Sequence, residues 1–534
     1  MRRRPSALPR PTRAWTWPLV LGLTATLTWS GPAGADSARS SRDGLPQAID
    51  AILDDPRLAG GAAGVVVADA ATGDIRYEHR GTDRLMPASN TKLVTSAAAM
   101  ELLGPDHRFS TDVLTDGRLR GSVLTGDLYL RGTGDPTMLA RDYDRLAADL
   151  AAKGVKRVTG RLIADDTRFD TQRLGRSWAG DDESAYYAAQ ISPLTVAPDT
   201  DYDAGTVIVR TAPGGSAGTR PRVTVTPAND HVRIENRATT VAQGSPNTLG
   251  VERRHGGNTI TVTGNLPLGA APATQWVSVW EPTGYAAAVF ADALAGHGVR
   301  VDGAVRLGLA TPADAVPLAT HRSMPLKELL VPFMKLSNNN HAEVLTKAIG
   351  HRTAGRGTWS AGLAAIGGYL KRIGVDPAAL RQVDGSGLSR LNTIPAREFT
   401  ALLLAVREEP WYADWYASLP VACGPDRLTG GTLRSRMCGT PAARNARAKT
   451  GSLTGASALS GYVTDADGRE LVYSIVLNNH LAASVKSVED AIVVTLASSG
   501  GSGADVATVR PPRAGRGAEA PGDLECAWRK PARC

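Results

Sequence analysis

A chain of 534 residues with 42% hydrophobic and 21% charged side chains has globular composition, which excludes a collagen, a coiled coil or a disordered tail protein and leaves room for about three domains. Four cysteines are too few to staple a chain of this length, so its stability must rest on ordinary apolar cores. The net charge of +8 includes five arginines within residues 1–35, which leaves +3 for the other 499 residues, without a long basic stripe and with five Phe in the whole chain; this argues against nucleic-acid binding.

The amino-terminal segment reads as an export signal. Residues 2–13 are basic, residues 14–28 are apolar, and Ala33-Gly34-Ala35 has the small-residue pattern of a cleavage site, so residues 1–35 are expected to be removed and Asp36 to start the mature chain. The apolar stretch contains Pro18 and falls short of the ~20 residues of a membrane span. No other segment reaches that length, so no integral membrane segment is expected after cleavage. The mature protein is expected outside the cytoplasm, secreted or held at the cell wall.

Helical spacing at 45–53 is followed by β-rich runs at 64–69 and 75–77 around a Gly/Asp turn, which predict a hairpin. An Ala/Leu/Met-rich helix is predicted over 91–103, closed by Gly104-Pro105. The middle, roughly 106–320, holds short β-like runs at 121–131, 157–164, 206–211, 222–227, 258–264 and 276–280, separated by Asp and Gly turns. Helical patterns return at 324–336, 342–350, 362–372 and 396–406. Near the end, predicted strands at 458–464 and 470–477 flank an Asp/Gly turn, and a helix follows at 484–496. A hairpin and a helix at each end predict one α/β domain built from both ends of the chain, with the middle inserted. The expected boundaries are 36–107 and 302–497 for this catalytic domain, 108–131 and 202–301 for a β-rich insertion, 132–201 for a second inserted domain, and 498–534 for a low-complexity tail.

Three short motifs carry the chemistry. Met86-Pro-Ala-Ser89-Asn-Thr-Lys92 sets a hydroxyl and an amine three residues apart at the start of a helix, on one face and within hydrogen-bond reach. The free N–H groups and dipole of that helix end favour an anion. A lysine held out of water beside a second cation has its neutral form favoured and can act as a base for Ser89. Alone, Ser-x-x-Lys equally describes a helix cap followed by a solvated lysine. Here it is followed by Ser337-Asn338-Asn339 at the end of a helical stretch and by Lys449-Thr450-Gly451 before the strand near 458. Ser-x-x-Lys, Ser-x-Asn and Lys-Thr-Gly in that order form the signature set of β-lactamases and penicillin-binding proteins.

The 248 residues from Ser89 to Ser337 exceed the spacing of simple β-lactamases. With Gly132-Thr-Gly-Asp-Pro136, Asp384-Gly-Ser-Gly-Leu-Ser-Arg390 and Arg447-Ala-Lys-Thr-Gly-Ser-Leu453, the chain over about residues 45–497 resembles the D-alanyl-D-alanine carboxypeptidase/endopeptidase family, the class C low-molecular-mass penicillin-binding proteins. The resemblance implies an α/β, β-lactamase/transpeptidase-like catalytic domain, an antiparallel sheet flanked by helices, with inserted β-rich accessory domains. It implies that peptidoglycan stem peptides are substrates and that β-lactams acylate the enzyme. Ser89 would attack the carbonyl between two terminal D-alanines, Lys92 would take its proton, Ser337 would relay that proton to the leaving amine, and Asn339 would hold Lys92 and the substrate amide. Lys449, Thr450, Gly451 and Ser452 would form the strand that binds the terminal carboxylate, with the N–H groups of Ser89 and Ser452 as the oxyanion hole. Relatives often carry Asp and Thr where this chain has Asn338 and Ser452, and both replacements stay polar. The family's pocket for the diamino acid of peptidoglycan is matched by Trp178, Asp181, Tyr186 and Arg390; Asp182 or Glu183, and Tyr187, are alternatives in the same run.

Other features have plainer readings. Gly214-Gly-Ser216-Ala-Gly218 matches a nucleophile elbow in letters, but a β-rich run follows it where an elbow needs a helix, so it reads as a hairpin loop. His341 reads as a packing or helix-surface residue, and Ser386 as part of a glycine turn. Export favours disulfides, and sequence proximity pairs Cys423 with Cys438 and Cys526 with Cys534. No C-x-x-C, His-Glu-x-x-His or phosphate-binding loop occurs, so no metal and no cofactor are expected. A β-lactamase-like hydrolase and a weakly active wall-binding protein are the rival readings; no added deacylating Glu can be assigned for the first, and five intact motif residues argue against the second.

Overall fold

The computed structural model describes residues 44–500. Its frame is a five-stranded antiparallel sheet in the order Ile75–His79, Ala62–Asp69, Glu470–Asn478, Ala456–Thr464, Arg447–Leu453. The two ends of the chain therefore meet in mid-sheet, where Val65 lies opposite Ile475 and Val67 opposite Tyr473. Two-residue alternation sorts these apolar runs onto two faces. Val65, Val67, Tyr473, Ile475 and Leu477 pack against the terminal helices Gly44–Leu53 and Lys486–Ser498 through Ile49, Ile52, Val488 and Ile492. Val66, Val472 and Val476 face the other way, onto Leu93, Leu330, Phe333 and Leu403 of the inner helices Thr91–Leu102, Leu326–Lys335 and Ala396–Ala405. Both faces are covered, which is why the strands read as continuous hydrophobic runs rather than alternating ones. The predicted hairpins, the helices flanking them and the sandwiching of an antiparallel sheet are all present.

The middle of the chain differs in detail from its reading. The run 121–131 is two strands, Val123–Thr125 and Leu128–Gly132, and the run 157–164 is likewise Arg157–Val158 and Leu162–Asp165. The two breaks face each other: Gly160 N–H donates to Gly126 O at 3.0 Å, and Asp127 Oδ1 accepts from Arg161 N–H at 2.7 Å. Each run thereby enters two different sheets. Leu128–Gly132 pairs with Leu162–Asp165 across the expected boundary at 131/132, and strands Val305–Leu307 and Val316–Arg322 join this same sheet although 302 onward was assigned to the catalytic domain. Pairing partners that are distant in sequence leave no local signal, so these memberships are tertiary facts.

Two helices in the middle were not foreseen, Ala140–Ala152 and Pro282–Gly296. They pack together and share one core with the sheet through Tyr143, Leu146, Leu150, Tyr285 and Phe290. The spacing of Tyr143, Leu146, Ala147 and Leu150 is a helical signature that the surrounding β-like runs obscured. The 214–218 segment is, as read, a loop between antiparallel strands Thr206–Ala212 and Arg222–Thr226.

Cys423 and Cys438 form a disulfide. The bridge closes the segment that precedes the edge strand Arg447–Leu453, and Leu433 and Met437 inside it pack onto the face of the terminal helices. The export-signal reading, the tail beyond residue 500 and the pair Cys526 and Cys534 lie outside the described residues. Among those described, no helix is long and apolar enough to cross a membrane.

A cross-link over a separation of 15 residues stabilises by roughly 3 kcal/mol in the chain-entropy model. Replacing both Cys423 and Cys438 by Ser is therefore expected to lower the urea midpoint by an amount equivalent to about 3 kcal/mol; an unchanged midpoint would show that the loop is held by its packing alone.

Candidate active site

Ser89 lies in a short 3₁₀ turn, Ala88–Asn90, that runs directly into the helix Thr91–Leu102. Ala88 has φ 46°, a strained value for a residue with a Cβ, and two elements close on it. A Cβ on Gly387 would stand 1.8 Å from Ala88 O, and Gly387 itself has φ 85°; a Cβ on Gly451 would stand 2.6 Å from Pro87 O and 3.1 Å from Ser89 N. Glycine at both places lets a loop and a strand press against the serine turn. Asn90 ties the turn to that strand. With its amide oriented by the hydrogen-bond network, it donates to Lys449 O at 2.8 Å and accepts from Ser460 Oγ at 2.7 Å.

Three residues on from Ser89, the fully buried Lys92 amine donates to Ser89 Oγ at 2.8 Å, to Asn339 Oδ1 at 2.7 Å and to Ser386 O at 2.9 Å. Its partners come from the serine turn, from the helix Asn339–Ala354 and from the 384–387 loop. Ser337 precedes that helix with φ 59°, and Asn338 caps it by accepting from His341 N–H at 3.2 Å. Asn338 also donates to Tyr202 O (3.0 Å) and Asp203 Oδ1 (3.1 Å), and Asn339 donates to Tyr187 O at 2.8 Å, so the motif is clasped to the inserted region. On the edge strand, Lys449 Nζ donates to Ser337 Oγ and to Thr450 O, both at 2.8 Å, and Thr450 Oγ1 donates to Thr432 Oγ1 at 2.9 Å. Ser452 Oγ is buried with no partner among the described residues. Ala448 N–H donates away from the sheet, to Pro420 O at 3.0 Å. Backbone direction alternates every residue, so the N–H of Ser452 points out of the same open edge.

All five predicted motif side chains, Ser89, Lys92, Ser337, Asn339 and Lys449, thus converge although up to 360 positions separate them. The arrangement offers a hydroxyl against a buried amine, a second hydroxyl against a second amine, and outward N–H groups at a strand edge: the components of acyl transfer through a serine.

The residues matched to the diamino-acid pocket are placed less uniformly. Trp178 Nε1 donates to Asp384 Oδ2 at 3.0 Å, and Trp178 and Tyr187 pack in an apolar cluster with Ala88, Leu388 and Leu453. Asp181 is exposed on a 3₁₀ turn, while Asp182 Oδ1 accepts from Tyr187 OH at 2.7 Å. Tyr186 contacts the Tyr187 ring edge-on at 5.7 Å, and burial raises its phenol well above the ordinary value. Glu183 is turned away, buried on Arg253 at 2.8 Å and accepting from Gly256 N–H at 3.1 Å. Arg390 is exposed and donates to Thr454 O at 2.9 Å, just beyond the Lys449 strand.

His341 is a buried packing residue rather than a surface one. Its Nε2 lies 3.0 Å from Tyr202 O, and burial lowers it to about 4. The sequence reading missed two roles. Ser386 contributes its carbonyl, not its side chain, to Lys92, and a backbone contact carries no residue-type signal. Glu343, one turn past Asn339, was not singled out and is fully buried. The carboxylates of Asp199, Asp201 and Asp203 also gather, with oxygens within 4.8 Å of one another; Asp201 is bound to Arg427 and Asp203 accepts from Asn338.

The chain matches the model of the D-Ala-D-Ala carboxypeptidase 3 (S13) family over residues 45–499. It is 48% identical over 513 residues to the D-alanyl-D-alanine carboxypeptidase of Actinomadura sp. (strain R39), covering 95% of this chain and 94% of that one. It is 26% identical over 430 residues to the D-alanyl-D-alanine carboxypeptidase DacB of Haemophilus influenzae, covering 80% and 88%. The crystal structure of penicillin binding protein 4 (dacB) from Haemophilus influenzae shares the fold, with a TM-score of 0.73 at 24% identity over 82% of this chain and 94% of that one.

Gly387→Ala is expected to lower stability by roughly 2 kcal/mol or more, since it combines a left-handed backbone with a clash; thermal unfolding measures it. Wild-type melting would show that the loop can withdraw from Ala88.

Proposed function

Because the chain belongs to the D-Ala-D-Ala carboxypeptidase 3 (S13) family, we propose that its D-Ala-D-Ala carboxypeptidase activity runs through an acyl-enzyme on Ser89. The observation that carries the assignment is the Lys92 amine seated 2.8 Å from Ser89 Oγ and held there from two other elements. In its neutral form Lys92 spends its two N–H groups on Asn339 Oδ1 and Ser386 O and turns its lone pair on the Ser89 hydroxyl, so that it accepts the Ser89 proton as Oγ bonds to the carbonyl carbon between the two D-alanines. Charge on the carbonyl oxygen is met by the N–H groups of Ser89 and Ser452. The C–N bond then breaks, and the proton reaches the leaving amine through Ser337, whose hydroxyl already bonds Lys449. Water hydrolyses the ester and restores the serine.

Substrate selection follows from the same edge. Lys449, Thr450 and Ser452 receive the terminal carboxylate; the unpartnered, buried Ser452 hydroxyl supports this, being a polar group awaiting an acceptor. Trp178, Asp181, Tyr186 and Arg390, with Tyr187 beside them, form the wall for the stem-peptide side chain, the region bounded by 108–131, 132–201 and 202–301 supplying most of it. The Trp178 and Tyr187 rings packed beside Ala88 support that placement. A β-lactam enters by the same route and stays attached. One solved structure of the Haemophilus influenzae protein, with a TM-score of 0.66 at 24% identity over 82% of this chain and 94% of that one, is a β-lactam complex. The working enzyme acts at the cell wall; the family's peptidoglycan substrate, which lies outside the cytoplasmic membrane, and the export-like amino terminus support this reading.

Ser89→Ala is expected to abolish covalent labelling by fluorescent penicillin and release of D-alanine from a pentapeptide while leaving circular dichroism unchanged, because only binding and the oxyanion donors remain. Undiminished labelling would overturn the assignment. Lys449→Ala should slow acylation by substrates with a free carboxylate roughly 10- to 100-fold more than by their methyl esters, the lost interaction being a charge-assisted bond. The ester arm isolates this from the bond to Ser337; equal losses in the two arms would remove Lys449 from carboxylate recognition.

A further inference from the structure

Glu343 lies one helical turn beyond Asn339, fully buried, and its carboxylate points at the 384–387 loop. Oε1 accepts from Ser386 N–H at 2.8 Å, and Oε2 accepts from Gly385 N–H at 2.8 Å and from Trp359 Nε1 at 2.7 Å. The neighbouring buried Asp384 accepts from Gly387 N–H (2.9 Å), Ser389 N–H (2.7 Å), Asn392 Nδ2 (2.8 Å) and Trp178 Nε1 (3.0 Å). Every one of these donors is an N–H group, which can only donate, so each bond needs an acceptor oxygen on the carboxylate. Thr95 Oγ1 takes up Gly385 O at 2.7 Å, and the Ser386 carbonyl is left to Lys92 Nζ at 2.9 Å.

Placing two carboxyl groups in a dry interior is costly, and burial raises both above their ordinary values, Glu343 to about 7 with the adjacent Asp384 charge adding to it. A buried charge adds little net stability over a well-packed apolar side chain. What it provides here is direction: Glu343 holds the N–H groups of Gly385 and Ser386 that lead into the carbonyl, and Asp384 holds the N–H of Gly387 at the other side of the same peptide, so the two carboxylates together set which way the Ser386 carbonyl points. Gly385 is held against this helix closely enough that a Cβ there would stand 2.2 Å from Thr346 Oγ1 and 2.5 Å from Ala342 O, so the loop has no other seat.

We propose that Glu343 is a positioning residue for acylation, fixing the Ser386 carbonyl so that the Lys92 amine is held on the Ser89 hydroxyl. It never touches substrate; it acts through the loop. The role rests on Lys92 serving as the base for Ser89.

Glu343→Gln keeps the shape but turns an amide NH₂ toward N–H donors. Stopped-flow penicillin acylation of the full chain separates the pre-covalent dissociation constant from the acylation rate constant, and hydrogen exchange reads the amides of residues 385 and 386. The expected result is an acylation rate constant lower by roughly 10- to 100-fold, a dissociation constant within about 3-fold of wild type, and faster exchange at 385 and 386 with the central sheet unchanged. Trp359→Phe removes a donor from the same carboxylate but leaves both loop bonds, and its acylation should stay within about 3-fold of wild type. Wild-type acylation by Glu343→Gln despite faster exchange overturns the proposal. So does an equal loss in Trp359→Phe, which would locate the effect in helix packing. If Glu343→Gln does not fold, Glu343→Asp, which keeps the charge and shortens the reach, replaces it: slowed acylation with an unchanged dissociation constant supports the role, and a wild-type rate overturns it. Penicillin labelling that persists in Ser89→Ala would instead fail the parent mechanism, so the two failures are distinguishable.

Discussion

A lysine amine taken out of water and held by three oxygens is the constraint on which the rest of this molecule depends. Lys92 draws one acceptor from its own helical turn, one from Asn339, 247 residues away, and one from Ser386, 294 residues away. Removing an amine from solvent is expensive unless its donors are satisfied, so the three acceptors must arrive together and stay. That demand explains the strained Ala88, the glycines that press on it, and the burial of every motif side chain.

The frame that meets this demand is the five-stranded sheet. Both ends of the chain pair at its middle, so its edge strand and the serine turn rest on one rigid body. The Lys449 strand is left as an open edge next to that turn, and Asn90 stitches the two by donating to its backbone. An open edge is ordinarily a liability for a soluble protein. Here its first outward N–H is taken by Pro420 O, residues 448–453 are buried, and its far end carries the residues proposed for the substrate carboxylate.

The parts legible in the sequence were those with a local cause. Two-residue and helical periodicity gave the terminal hairpins and helices, and the spacing of Ser89 and Lys92 along one turn gave their contact. The three motifs were legible because each needs particular side chains. What stayed hidden had no local cause. The Ser386 carbonyl is the same group on any residue, and Glu343 is a glutamate in a helix like many solvated ones until Gly385, Ser386 and Trp359 are brought to it. The breaks in the runs 121–131 and 157–164 depend on Gly126 and Gly160 meeting across two strands, and the helix Ala140–Ala152 was masked by β-like neighbours despite its own good spacing. The alternatives at Asp181 to Glu183 narrow for a similar reason: Glu183 is committed to Arg253, a partner 70 positions on.

The inserted region is joined to the motif helix mainly through main-chain acceptors. Asn338 donates to Tyr202 O, Asn339 to Tyr187 O, and His341 lies against Tyr202 O. A carbonyl is present whatever the side chain, so this clasp constrains the path of residues 187–203 without constraining most of their identities. The side chains of the same stretch are then answerable to other demands: Tyr187 and Ala188 pack in the apolar cluster with Ala88. Attachment carried by backbone lets Asn339 keep its grip on Lys92 whatever side chains occupy most of that stretch.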